Sequence, residues 1–291
     1  MGVLESSQLV FPVDGAMQKT WDDAVARWLI EKADKASLKS DQCIIRWLEP
    51  YLSGLRIAEI TRSVIDSLTH RKIASGVANG TVNRMLALLR SILIRASVDW
   101  EWLIVVPKVR LLREPVRRVR YLTKAQAASL LVQLPSHLAE MTAFSLATGL
   151  RKSNVTGLCW SQVDLPRRLA WIHPDQSKTR KAIAVPLNMD AIRVLTLQMG
   201  RHAVRVFSYK GMPVEQVTTA AWYKALERCG IDDFRWHDLR HTWASWHVQN
   251  GTPLNVLQEL GGWESAQMVR RYAHFSASHL ASFADSLPSL T

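Results

Sequence analysis

The sequence predicts a mainly α-helical protein of two domains, the second carrying one small antiparallel β-sheet. Three observations lead there. Apolar residues recur at helical spacing from residue 20 to about 104. A basic stretch with two prolines, "PKVRLLREPVRRVRYLT", then interrupts the pattern. Beyond it helical periodicity returns, broken once by "LAWIHPDQSKTRKAIAVPL", which alternates, turns over polar residues and alternates again. A chain of 291 residues has room for about two domains of ~150 residues, each with its own core.

The first helix opens in "TWDDAVARWLIEKA", where Thr20 with Asp23 three residues on forms a variant capping box. Trp21, Ala24, Val25, Trp28 and Leu29 mark its inner face. A second helix is expected over 39–52, ending before Gly54, and a third from Thr61 to about Ser75, ahead of Gly76. The fourth starts near Thr81 and presents Met85, Leu86, Leu88, Leu89, Ile92 and Leu93. Four helices with short connections make a small bundle, residues 19–106, behind an N-terminal segment of 1–18. Residues 107–121 read as a linker in which Lys108, Arg110, Arg113, Arg117, Arg118 and Arg120 face the single acid Glu114. Such a segment is a solvated spacer, and it can also lie along a phosphate backbone; those six residues are the candidate DNA contacts. The second domain, 122–291, begins with Thr123 as a helix N-cap. Helices are expected at 123–134 and 138–148, the latter stopped by Gly149, then the hairpin, then helices near 189–199, 215–229, 237–249, 253–260 and 265–273.

Thirty-seven Lys+Arg against 25 Asp+Glu give a net charge of +12, which suits a polyanionic partner, most commonly nucleic acid. Cys43, Cys159 and Cys229 are far apart and form no C-x-x-C, as expected of reduced thiols in a cytoplasmic protein. The N-terminus lacks the pattern of a signal peptide, and no run approaches the ~18 apolar residues a membrane span requires.

The chemistry concentrates in "RWHDLRHTWASW". His237 and His241, four apart, would share one helix face, and so would His237 and Arg240, three apart. The histidine pair resembles part of a zinc-protease helix, but the residue after the first histidine is Asp238, not the glutamate that motif needs. The His237–Arg240 pair suggests a grip on phosphate, whose non-bridging oxygens match a planar guanidinium fork. Arg151, just after the Gly149–Leu150 corner in "ATGLRKSNVTGLCW", is the candidate second fork. Tyr272, in "LGGWESAQMVRRYAHF", is either a buried core tyrosine or a nucleophile on phosphorus. With an ordinary pKa of ~10, a nucleophilic tyrosine needs a nearby base or a cationic field.

Taken in order, Arg151, Lys178 in "SKTRK", "HDLR" at 237–240, Trp263 and Tyr272 resemble the tyrosine recombinases, the phage-integrase family of site-specific DNA recombinases. The resemblance covers residues 120 to 275, and the helical bundle before it is similar to the family's core-binding domain. It implies a C-shaped clamp around double-stranded DNA, active in synapsis as a homotetramer, with an accessory DNA-bending or directionality factor as a possible further partner. By the same resemblance, Arg151 and Arg240 clamp the scissile phosphate. Tyr272 attacks it to leave a 3′-phosphotyrosyl bond and a free 5′-hydroxyl. Lys178 protonates the departing oxygen, and His237 moves protons between Tyr272 and the phosphate. Trp263 stands where many members have histidine, and its indole N–H can donate to the phosphate. His241 is then expected in a supporting role. No metal and no cofactor are implied, since cations and N–H donors supply the charge stabilisation and the covalent bond conserves the energy of the broken phosphodiester. The chain would act in the cytoplasm, on the nucleoid, as a bacterial or phage-encoded protein.

Two departures from the family pattern stand out. Asn154 occupies a position, three after the first arginine, that is often acidic, so one anion that would orient Arg151 is missing. Arg180 and Lys181 share the turn with Lys178, which the family pattern and hairpin geometry favour. About 18 residues precede the bundle, too few for the separate arm-binding domain of many phage integrases, so either core sites suffice or that domain is missing. Leu280, Phe283 and Leu287 fall on one face of a C-terminal tail that packs either on its own domain or on a neighbouring protomer. The function expected is integration or excision of a prophage or mobile element. The alternatives are a chromosome-dimer or transposon resolvase of the same family, or a non-catalytic DNA-binding protein of the same fold; bound zinc would instead revive the protease.

Overall fold

A computed structural model describes residues 18–115, 119–176 and 181–273. It divides into two compact units, Met1–Val116 and Arg117–Thr291.

The first unit holds α1 (Trp21–Glu31), α2 (Leu38–Leu52), α3 (Arg62–Ala74) and α4 (Asn79–Val98). The capping box forms as its residues dictate. The Asp23 N–H donates to Thr20 Oγ1 at 3.2 Å, and the Asp23 carboxylate accepts the Thr20 N–H at 3.0 Å. On α4, Val82, Met85, Leu86, Leu89, Ile92 and Leu93 are buried against Trp21 and Trp28 of α1, Leu48 and Leu52 of α2, and Ile65 and Leu68 of α3. This helix begins two residues before Thr81, and its Asn79 and Asn83 side chains find partners outside it. Asn79 Nδ2 donates to the Arg113 carbonyl at 2.8 Å. Asn83 donates to the Leu112 carbonyl at 2.9 Å and accepts the Leu112 N–H at 2.8 Å. The first half of the basic stretch is thereby fastened to α4, with Val106, Val109 and Leu112 packed on the bundle core and Lys108, Arg110 and Arg113 exposed. Arg117 and Arg118 lie outside the described residues. Arg120 belongs to the second unit, where it meets Asp233 at 3.7 Å in a solvated pair.

The second unit starts with α5 (Lys124–Gln133), α6 (Ser136–Thr148) and α7 (Lys152–Thr156). Next come β1 (Val163–Asp164), β2 (Leu169–Ile172), β3 (Ile183–Pro186) and α8 (Met189–Gln198). β4 (Ser208–Tyr209), β5 (Met212–Pro213), α9 (Ala220–Arg228), α10 (Asp238–Gln249), α11 (Leu254–Gly261) and α12 (Ala266–Arg270) complete it. The predicted hairpin is β2–β3, paired antiparallel from Leu169↔Pro186 to Ile172↔Ile183. It is one of two sheets among the described residues, where the sequence predicts one. β1 adds an edge through Val163↔Ala170. β4 and β5 form a separate ladder around Lys210 and Gly211, both at positive φ (52° and 78°), as a two-residue primed turn requires. Strands of two residues are too short to show a period of two, so pattern reading misses them.

α6 is the central helix, apolar nearly all round, with α8 and α10 packed on it. Leu138, Met141 and Phe144 are buried there, while Ser145 and Thr148 turn their hydroxyls back to the Met141 and Phe144 carbonyls. α9 starts at Ala220 rather than 215, since Thr219 is extended and Val217 is buried while still in the loop. α12 is shorter than expected, and Tyr272 sits just beyond it. Its N–H bonds three residues back to Val269 at 2.9 Å, a tightened final turn. No described helix is long and apolar enough to cross a membrane.

Candidate active site

Arg240 is the centre of the site. It projects from the first turn of α10 and is 5% exposed, so its donors must be satisfied from within. Nη1 donates to the Gly149 carbonyl at 2.6 Å, and Nη2 donates to the Gly261 carbonyl. The Trp263 ring lies against the guanidinium at 4.2 Å from its centroid, a cation–π contact. Burial pushes the Arg240 pKa down to about 10; the Arg151 charge adds to this and Tyr272 opposes it, so the group remains cationic at neutral pH. Arg151 is the N-cap of α7, half-buried at the corner after α6, and burial lowers its pKa as well.

Both carbonyls come from glycines for a steric reason. Gly149 ends α6 at φ +64°, and a Cβ there would lie 2.3 Å from the Trp243 ring. At Gly261 a Cβ would lie 2.0 Å from the Trp263 ring. Each glycine lets a tryptophan close over it, which fixes the carbonyl that holds Arg240. Gly261→Ala is therefore expected to push Trp263 off the guanidinium. The cost is about 1–3 kcal/mol of overpacking, read as a lowered melting temperature, with DNA cleavage falling more than duplex binding.

Tyr272 is 1% exposed, in a core with Trp243, Val248, Leu257, Trp263 and Val269. Its hydroxyl lies 2.6 Å from His241 Nδ1. Burial raises the Tyr272 pKa to about 12, and the nearby Arg240 and Arg271 charges offset only part of that. Burial is also the first cause holding His241 down to about 4, followed by His237, Arg271 and Arg240. Both partners are therefore neutral at physiological pH. His237 is the N-cap of α10, and its ring meets that of His241 edge to face at 5.1 Å.

Arg151, His237, Arg240, Trp263 and Tyr272 thus gather at one end of α10. Lys178 lies outside the described residues, as do the C-terminal tail positions Leu280, Phe283 and Leu287. Asn154 is buried and donates to the Gln176 carbonyl at 3.2 Å, so it ties α7 to the turn leading into the Lys178 segment. Among the described residues no group of three or more His, Cys, Asp or Glu is placed to hold a metal ion. His247 bonds the Thr252 hydroxyl and packs on Trp243. Sequence reading gave no function to Gly149, Gly261 and Trp243 and only a supporting one to His241. The two Gly–Trp pairs leave no trace in periodicity, and the choice between two histidines on one helix face depends on where Tyr272 is carried.

The phage integrase family model matches residues 120–279. The integrase of Salmonella phage P22 is 37% identical over 310 residues, covering 93% of this chain and 80% of that protein. A shufflon-specific DNA recombinase of Escherichia coli is 30% identical over 223 residues, covering 72% of this chain and 54% of that protein. Among solved structures, the Tn1549 transposon integrase in complex with a circular intermediate DNA aligns with a TM-score of 0.77 at 18% identity, over 92% of this chain and 100% of that one. A lambda integrase tetramer bound to a Holliday junction aligns with a TM-score of 0.74 at 18% identity, over 94% of this chain and 83% of that one. At those identities the structures speak to fold, while the family model and the phage relative speak to descent. The chain belongs to the phage integrase family, the tyrosine recombinases.

Proposed function

We propose that this recombinase integrates or excises a prophage or mobile element, cleaving and rejoining double-stranded DNA through a 3′-phosphotyrosyl bond to Tyr272. The observation that carries this reading is Arg240, a buried cation fixed by two backbone carbonyls beside a buried tyrosine. Such a cation costs free energy to bury and is best accounted for by an anion that arrives later. In this reading Arg151 and Arg240 take the non-bridging oxygens of the scissile phosphate, and Trp263 backs Arg240 while offering its N–H. Lys178 protonates the departing 5′ oxygen, and His237 serves proton transfer at the phosphate. Residues 122–291 form the catalytic domain. Residues 19–106 grip the duplex with help from the segment 107–121, where the exposed Lys108, Arg110 and Arg113 provide sequence-independent phosphate contacts.

The extent of the match to a phage integrase favours integration or excision over dimer resolution. Solved relatives on DNA, one of them a tetramer on a Holliday junction, support DNA as the partner and a tetramer as the working assembly. A DNA-bending or directionality factor would set the direction of the reaction.

The test is covalent trapping in EDTA, on a duplex of the attachment core nicked so that the cleaved fragment diffuses away. An SDS-resistant adduct whose DNA-linked peptide contains Tyr272 establishes both the nucleophile and metal independence. Binding without an adduct would point to the non-catalytic reading.

A further inference from the structure

The geometry points to His241, the residue after the clamp arginine, as the catalytic base that takes the Tyr272 hydroxyl proton during strand cleavage. The inference rests on the recombinase reading and assigns a residue to its nucleophile-activation step.

Three observations carry it. His241 Nδ1 is 2.6 Å from Tyr272 Oη, the reacting atom itself and within the range for direct proton transfer. Tyr272 is buried, His241 is half-buried, and both are neutral, so the contact is a phenol facing an imidazole nitrogen largely screened from water. Among the described residues, the titratable and charged groups around the pair are His237 at the N-cap of α10, Asp238 and Arg240 on α10, and Arg271 on the turn after α12. The cations among them discourage an imidazolium in the resting protein. A phosphate on Arg151 and Arg240 would neutralise that field and make His241 a better base at the moment of attack.

The step balances as follows. Tyr272 Oη forms a bond to phosphorus while the bond from phosphorus to the 5′ oxygen breaks. The Oη proton moves to His241 Nδ1, the ring's own proton being on Nε2. The departing 5′ oxygen takes its proton from an ammonium donor, for which Lys178 is the candidate. On religation His241 returns its proton to Tyr272.

The pH dependence distinguishes this role from a structural one. Tyr272, held near 12, is ionised in only about one molecule in 10⁵ at pH 7, so attack without a base would speed about tenfold per pH unit. With His241 held near 4, the base is unprotonated throughout the neutral range, so the wild-type rate should be flat from about pH 6 to 9.

The experiment is single-turnover cleavage by the full chain. It uses an attachment-core duplex with a bridging 5′ sulfur at the scissile phosphate, whose departure requires no added proton. Wild type is compared with His241→Asn, which keeps a hydrogen-bond acceptor near the Nδ1 position but is not a base. The expected result is a flat wild-type profile and a His241→Asn rate reduced by about 10²–10⁴-fold at pH 7, climbing about tenfold per pH unit. Three results would overturn the inference: a wild-type rate that itself climbs with pH, a His241→Asn rate equal to wild type, or a loss equal at every pH. A wild-type rate that climbs with pH would overturn the inference even if the variant does not fold. Absence of any wild-type adduct on this substrate would overturn the recombinase reading itself, and this inference with it.

Discussion

Tyr272→Phe is expected to abolish covalent attachment to DNA outright, because phenylalanine has no oxygen to give to phosphorus. The ring should remain where it is. It is held by Trp263, with centroids 5.8 Å apart, and by Val269 and Leu257, none of which uses the hydroxyl. What folding loses is the bond to His241, leaving a half-buried ring nitrogen without its partner at a cost of about 1 kcal/mol. Duplex binding should stay within about twofold of wild type, because affinity comes chiefly from basic contacts spread over the backbone. Thermal melting, a mobility shift and the trapping assay on one preparation would show the three effects separately. An adduct surviving the substitution would move the nucleophile to another residue.

Arg240→Lys is expected to lower single-turnover cleavage by about 10³-fold, although the formal charge is unchanged. The guanidinium fork divides its work: Nη1 and Nη2 each hold one of the Gly149 and Gly261 carbonyls, and in the proposed reading its other N–H groups address the incoming oxygen. An ammonium is a single point with three donors on a flexible stem. It cannot span both carbonyls, lie flat on Trp263 and still address the phosphate. Lysine also loses its proton far more readily when buried, so part of the population would become neutral. Arg240→Ala should cost more in stability than the lysine variant, since both carbonyls would then lack a donor. Cleavage by Arg240→Lys within tenfold of wild type would remove Arg240 from the transition state.

The sequence shows the ends of this arrangement better than its middle. "HDLR" after Trp236 and "RRYAHF" after a Gly–Gly break are local signals, and Arg240 and Tyr272 can be read from them directly. The bundle helices are equally legible, because α1 and α4 carry long apolar faces and α1 a capping box. His241 is different. It lies on nearly the same helix face as His237, and only the packing of α11 on α10, with α12 packed on α11 in turn, decides which ring meets Tyr272. Gly149 reads as a helix stop and Gly261 as half of a turn. Their carbonyl bonds to Arg240 span 91 and 21 residues, and no local pattern reports them. The fastening of Leu112 to Asn83 is likewise a contact 29 residues apart, inside a segment whose composition alone suggests a spacer.

The choice of carbonyls as partners for Arg240 has a thermodynamic consequence. Among the described residues no carboxylate pairs with it, so peptide dipoles orient the cation without cancelling its charge. Folding therefore leaves an ion pair half made. Two opposite charges about 4 Å apart at a protein surface attract by roughly 4 kcal/mol, and in the proposed reading the second charge arrives on the DNA. Stability and phosphate affinity are thus linked through one side chain. The free protein bears the desolvation of Arg240, and the scissile phosphate, by completing the pair, should stabilise the fold that holds it.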